Sequence, residues 1–252
     1  MQVAKAMREM QLDPAESLKI YNQALSVMAE VANKAQSGKI KSGELVGLEE
    51  VYEIVKVMVD RIVLGDKELI LAAADYSKTN YSEANYAYLH SVNVCIHSID
   101  IGLAAGYNKS KLNELGLGAL LHDVGMAIMS NVDFIRTPHK SNEGENVQAK
   151  KYSGVGTNVS VRIKNIQDRV ISIARQYHER LSGKENAECS EDEQMRGYAQ
   201  IVAIAEVYEA LTHPRDSRQA FDPHNAIKEL LNMSNSGFFK PEFIKLLIDR
   251  VG

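Results

Sequence analysis

Apolar residues recur at three- and four-residue steps along most of the chain, the period of one face of an α-helix. Leu18, Tyr21, Leu25, Met28 and Val31 predict an amphipathic helix over Pro14–Ser37, with Asp13 as N-cap and Pro14 at the first helical position. Gly38–Gly47 reads as a connector. Val51, Ile54, Val55, Met58 and Ile62 place a second helix from Leu48 to Leu64, closed by Gly65-Asp66, and Lys67–Tyr76 predicts a short third one. The central block consists of Tyr86–Ala105 and Lys109–Leu121. Helices are expected at Val147–Ile163 and Gln167–Arg180, between the polar loops Thr137–Glu145 and Ser182–Gln194. A strongly apolar helix follows over Arg196–Leu211, and Asp222-Pro223 and Lys240-Pro241 open the last two. Alternating strand patterns are nearly absent, so the predicted fold class is all-α.

Composition leaves this picture unchanged and narrows the partners. The 252 residues are 45% hydrophobic and 25% charged, ordinary values for a globular protein. A net charge of −4 provides no basic footprint for duplex nucleic acid or an anionic membrane. A small phosphorylated ligand needs only a few local cations and stays compatible with it. Cys95 lies in an apolar helical run, where a thiol behaves as a small hydrophobe, and Cys189 lies in a charged loop. Their spacing suggests neither a disulfide framework nor a zinc clip, and the N-terminus carries no long apolar segment. A soluble, cytoplasmic protein is expected.

The chemistry concentrates on three apolar helices. His122-Asp123 ends the run Leu115–Leu121; an imidazole beside a carboxylate there is half of a metal site. His90 lies in Tyr88–Ile96, and Glu206 in a helix apolar on nearly every side. A buried carboxylate must be paired or coordinate a metal. His90, His122, Asp123 and Glu206 together offer two imidazoles and two carboxylates, a set suited to iron, manganese or zinc. Taken singly, His90 reads better as a hydrogen-bonded core histidine, and Glu206 as an ion-pair partner of an arginine such as Arg180. The adjacent pair, and the order of the four residues along the chain, favour a metal.

That order resembles the HD superfamily of metal-dependent phosphohydrolases, and more closely its HD-GYP branch. The likeness is carried by His90-Ser91-Val92-Asn93-Val94, Leu115–Gly125, Tyr177-His178-Glu179-Arg180 and Ala203–Thr212, and extends through Phe239–Phe243. The resemblance implies an HD-domain helical bundle over 67–252, preceded by an N-terminal helical region over 1–66. It also implies hydrolysis of cyclic di-GMP at a site of two or three metals. In the family pattern one metal takes residues matching His90, His122 and Asp123, and a late aspartate where this chain has Glu206. Asp123 is then shared with a second metal, whose remaining ligands are three histidines.

Here two of those three histidines are replaced, by Tyr152 and Tyr177, and His178 remains. A phenol with a pKa near ~10 is a poor ligand for a divalent ion. The lysine that normally follows the His-Asp pair is Met126, and Ser182–Ala187 stands in register with the missing Gly-Tyr-Pro signature. Glu206 keeps a carboxylate but carries it about 1.5 Å further out than an aspartate. The expectation is one divalent ion, iron, manganese or zinc, with Asp123 at the catalytic position and His90, His122, Asp123, Glu206 and His178 as the ligand set. Arg215 and Arg218 match the family's phosphate-contacting pair, and guanidinium is the natural bidentate partner of phosphate. Equally, both read as surface arginines offsetting Asp216 and Glu209.

Two functions follow. The first is a metal-dependent phosphodiesterase acting on cyclic di-GMP or another nucleotide. The second is a catalytically inactive, degenerate HD-GYP domain that signals through cyclic di-GMP or a protein partner. Its N-terminal helices, with the stripe Leu18–Val31, suit a homodimer or docking as well as packing on their own core. His97 is expected to be a packed or solvent-edge histidine. His139, His213 and His224, beside prolines, are given no catalytic role, with His139 the one candidate to replace the histidine lost at Tyr152.

Overall fold

The computed structural model of the chain describes residues 12–36, 48–74, 86–122, 193–214, 219–235 and 239–251, and within them all regular structure is helical. The expected helices at 147–163 and 167–180 lie outside the described residues. The described helices are α1 (Pro14–Gln36), α2 (Leu48–Val63), α3 (Lys67–Ala74), α4 (Tyr86–Ala104), α5 (Lys109–Leu121), α6 (Glu193–Thr212), α7 (Pro223–Asn235) and α8 (Pro241–Val251).

Their ends follow local chemistry. Asp13 accepts the Ala15 N–H at 2.9 Å and Asp222 the Asn225 N–H at 3.0 Å, each beside a proline whose fixed φ starts the helix. Asn108 caps α5 by accepting the Lys111 N–H at 3.0 Å. The turn before it needs a left-handed residue, and Gly106 takes φ 78° there. Its N–H bonds to the Leu103 carbonyl, while the Tyr107 N–H reaches Gly102, closing α4 in the Schellman pattern.

Helix α4 is the axis of the molecule. Helices α1, α2, α3, α5, α6 and α8 all pack against it, and every residue from Leu89 to Gly102 is buried. A helix wrapped on all sides has no solvent face for its polar residues, so His90, Ser91, Asn93, His97, Ser98 and Asp100 are buried with the rest. Such groups are costly unless partnered within the protein. Asp100 meets this demand through Arg250 of α8, whose Nε donates at 2.8 Å. Helix α5 approaches α4 and α2 closely through Gly116, where an added Cβ would stand 2.9 Å from Ile99 Cδ1 and 3.0 Å from Val55 Cγ1. Cys95 is buried as a small hydrophobe, its thiol donating to the Gly116 carbonyl at 3.2 Å.

The N-terminal helix spends its apolar stripe on this core, with one correction. Ile20, Tyr21, Ala24, Met28 and Val31 are buried, whereas Leu18 is 39% exposed. At 100° per residue the face centred on Tyr21, Ala24 and Met28 takes in Ser17 rather than Leu18. Burying side chains of this size contributes about 1.5–3 kcal/mol each, which dominates the docking of α1. A polar knot fixes its position. Ser17 Oγ donates to the buried Asp66 carboxylate at 2.8–2.9 Å, Arg61 Nε reaches the same carboxylate at 2.6 Å, and the Leu69 N–H caps onto it at 3.1 Å. Asp66 therefore ties α1, α2 and the start of α3 together. The predicted face of α2 is buried throughout: Val51, Ile54, Val55, Met58 and Ile62.

Candidate metal centre

Three of the residues singled out in the sequence converge from three helices. His90 projects from the first turns of α4, His122 stands at the C-cap of α5, and Glu206 lies midway along α6. Each offers one ligand atom, and the three atoms lie within 4.8 Å of one another. Glu206 Oε2 is 2.7 Å from His90 Nε2 and 3.2 Å from His122 Nε2. The two imidazole rings are 5.7 Å apart at their centroids and tilted by 58°. Tyr86, one turn before His90, stacks on its ring at 5.6 Å.

The other ring nitrogens decide which atoms face the site. His122 Nδ1–H donates to the Ala119 carbonyl one turn back. His90 Nδ1–H donates to Glu209 Oε2 at 2.6 Å. Both Nε2 atoms are thus left toward Glu206, and a carboxylate behind a histidine is the support that metal-binding imidazoles generally carry.

Glu209 is the residue that sequence reasoning missed. It entered there only as a charge that Arg215 and Arg218, in one of two readings, would offset, and it is fully buried on α6. Its position three residues after Glu206, in the same apolar run, was the available signal. His213, set aside in the sequence as a loop histidine beside Pro214, is also fully buried. Its Nδ1–H bonds back to the Glu209 carbonyl at 3.1 Å, leaving Nε2 to accept from Asn93 Nδ2 at 3.2 Å. Asn93 Nδ2 also reaches Glu209 Oε1 at 3.4 Å. His97 is packed rather than at the solvent edge, edge-on to the Tyr208 ring at 5.3 Å. Its Nε2 meets no hydrogen-bond partner among the described residues.

Charge in this cluster is balanced by proximity. Burial disfavours a charged His90, but the Glu206 and Glu209 carboxylates outweigh it and hold the imidazole well above its usual pKa. Burial likewise works against the Glu206 carboxylate, yet the His90 charge and bonds from both histidines hold it well below the carboxylate range. Glu209, opposed by burial and favoured by the charge and hydrogen bond of His90, comes down to about 2. One buried and one partly buried carboxylate at one point call for a cation, whether a proton on His90 or a metal ion.

Asp123, His178, Arg215 and Arg218 lie outside the described residues, as do Tyr152, Tyr177 and His139. His224 is exposed.

Comparison with known proteins places this geometry. Residues 81–242 match the family model for the HD domain, well over half of the chain and spanning His90, His122 and Glu206. The chain belongs to the HD-domain family. Two relatives of this HD protein are cyclic di-GMP phosphodiesterases of Pseudomonas aeruginosa and Borreliella burgdorferi, each 26% identical over 66% and 67% of this chain respectively. A third, 24% identical over 68% of the chain, is a 3′3′-cGAMP-specific phosphodiesterase of Vibrio cholerae. The aligned part makes up 40%, 44% and 38% of those proteins, so the chain corresponds to less than half of each. No solved structure matches it. HD domains bind divalent metals, and the donor set here fits one: two imidazoles with their Nε2 atoms turned to a shared carboxylate oxygen.

Proposed function

We propose that this HD-domain chain is of the HD-GYP type and acts as a phosphodiesterase on cyclic di-GMP or a related nucleotide, through a centre reduced to one metal ion. The reading divides the chain into a helical region over 1–66 and the phosphohydrolase portion over 67–252. The observation that carries it is the convergence of His90, His122 and Glu206 with the Glu209 carboxylate behind His90. Asp123, adjacent to His122, completes the proposed ligand set, with His178 as a further ligand and Arg215 and Arg218 gripping substrate phosphate. The names of the three relatives, all phosphodiesterases of cyclic dinucleotides, support the substrate class.

The chain's own residues have definable tasks. Glu209 and the Ala119 carbonyl each hold an Nδ1–H, so that neither ring can turn its Nε2 away from the site. Glu206 provides the negative charge that attracts a cation to that point. A divalent ion bound there supplies Lewis acidity toward a phosphodiester oxygen. Arg215 and Arg218 neutralise charge that develops on the phosphate as it reacts.

Metal analysis of the purified chain tests this directly. The expected content is about one equivalent of iron, manganese or zinc, lost in His122→Ala, with hydrolysis of cyclic di-GMP by the wild type only. Equal metal content in the two proteins sinks the assignment. The sequence also favours a second reading, because Tyr152 and Tyr177 stand where a second ion's imidazoles belong. In that reading the domain is inactive, binds cyclic di-GMP without turnover, and signals to a protein partner or a second copy, although the α1 stripe itself is taken up by the core. Calorimetric binding with no product on prolonged incubation distinguishes it from the enzyme.

A further inference from the structure

The polar chain behind His90 does not end at Glu209. Asn93, one turn after His90 on α4, donates through Nδ2 toward Glu209 Oε1 and His213 Nε2, and its Oδ1 accepts from the Tyr21 hydroxyl at 2.7 Å. Tyr21 belongs to α1, well before residue 81, where the HD match begins. It is fully buried within the apolar stripe, at a place where a phenyl ring would fill the same volume. The hydroxyl is therefore the unexplained part of the residue.

We propose that Tyr21 is a positioning residue of the metal centre: through Asn93 it orients the Glu209 carboxylate that holds His90. The inference rests on reading His90, His122 and Glu206 as a metal centre, and it makes an N-terminal helix part of that centre's support. The directions of the bonds require this arrangement. His213 spends its N–H on the Glu209 carbonyl, so its Nε2 is an acceptor, and Glu209 Oε1 is an acceptor as well. Both need the amide NH2 of Asn93, not its carbonyl. A flipped Asn93 would turn Oδ1 toward a carboxylate and a lone pair, acceptor against acceptor. The Tyr21 O–H favours the productive orientation because it provides a donor for Oδ1 on the opposite side. Without it, a buried amide oxygen has lost its partner, and the amide gains freedom to turn.

Metal affinity, measured on the full chain, tests the proposal. Chelator-stripped wild type, Tyr21→Phe and Ser17→Ala are titrated with Mn²⁺ by calorimetry, and the visible spectrum of each Co²⁺-loaded protein is recorded. Ser17 lies on the same face of α1 but bonds to Asp66 and not to the centre, so its variant reports loosened docking of the helix alone. Expected are a roughly three- to tenfold weaker Mn²⁺ affinity and an altered Co²⁺ spectrum in Tyr21→Phe. Ser17→Ala should show a lower melting temperature with wild-type affinity and spectrum. Wild-type affinity and spectrum in Tyr21→Phe overturn the proposal, and so does an equal loss of affinity in both variants. A wild type that binds neither Mn²⁺ nor Co²⁺ overturns the metal-centre reading itself, and the proposal with it.

Discussion

Replacing Glu209 by glutamine isolates the carboxylate behind His90 while keeping its shape. In the wild type one oxygen receives the His90 Nδ1–H at 2.6 Å, and the other faces Asn93 Nδ2 at 3.4 Å. Both neighbours are donors, and a carboxylate serves them because both of its oxygens accept. A glutamine has a single oxygen. Turned toward His90, it sets its NH2 against the Asn93 NH2; turned the other way, it sets an N–H against the His90 Nδ1–H. One bond is lost in either case, and the survivor is no longer charge-assisted, a difference of about 1–2 kcal/mol. Loss of outer partners of metal-binding histidines typically weakens metal affinity about 10- to 100-fold, which is about 1.4–2.7 kcal/mol and agrees with that figure. The assay is calorimetric titration of chelator-stripped Glu209→Gln with Mn²⁺ at neutral pH, with circular dichroism confirming an intact helical fold. Unchanged affinity in a folded variant refutes the role assigned to Glu209.

Stability should depend on pH through His97. Burial, only partly offset by Glu209, lowers its imidazole from the ordinary 6.5 to about 4. The folded protein holds this ring neutral while the unfolded chain protonates it, so its contribution to stability is lost as pH falls from about 6.5 toward 4. The loss reaches about 3 kcal/mol at most. In urea melts across that range the wild type should lose up to about 3 kcal/mol relative to His97→Leu as pH falls, and parallel curves would falsify the assignment. Packing at Gly116 makes a separate prediction. In Gly116→Ala the new methyl meets Ile99 and Val55 at 2.9–3.0 Å, and repacking should cost about 1–3 kcal/mol, read as a lowered melting temperature. A variant as stable as the wild type would show that α5 can move away from α4 without loss.

Local signals in the chain carried most of the helices. Proline beside aspartate at Pro14 and Pro223, glycine at Gly65 and Gly106, and asparagine at Asn108 act over one turn, so the ends they set are legible wherever they occur. Periodicity located the buried face of α2 in full. It misplaced the edge of the α1 stripe, because Leu18 and Ser17 differ by only 100° and the choice depends on where Asp66 and Arg61 sit. His90, His122 and Glu206 were legible as site residues for a related reason: polar residues in apolar helices need an explanation of some kind, and their order matched a known family.

The partners of those residues were not legible. Glu209, His213, Asn93 and Tyr21 look ordinary in the chain; glutamate and histidine near a helix end are common on surfaces, and a tyrosine in an apolar stripe is common in cores. What distinguishes them is that α1, α4 and α6 meet, bringing positions 21, 93 and 209 within hydrogen-bond reach of one another. Hydrogen bonding falls away within a few tenths of an ångström, so no pattern of residue types can reveal it. The chain alone thus pointed to a helical HD-domain protein and to His90, His122 and Glu206, the candidate ligands that the structure brings together. Only the meeting of α1, α4 and α6 decided how His90 is held, because burial left the polar groups there to partner each other.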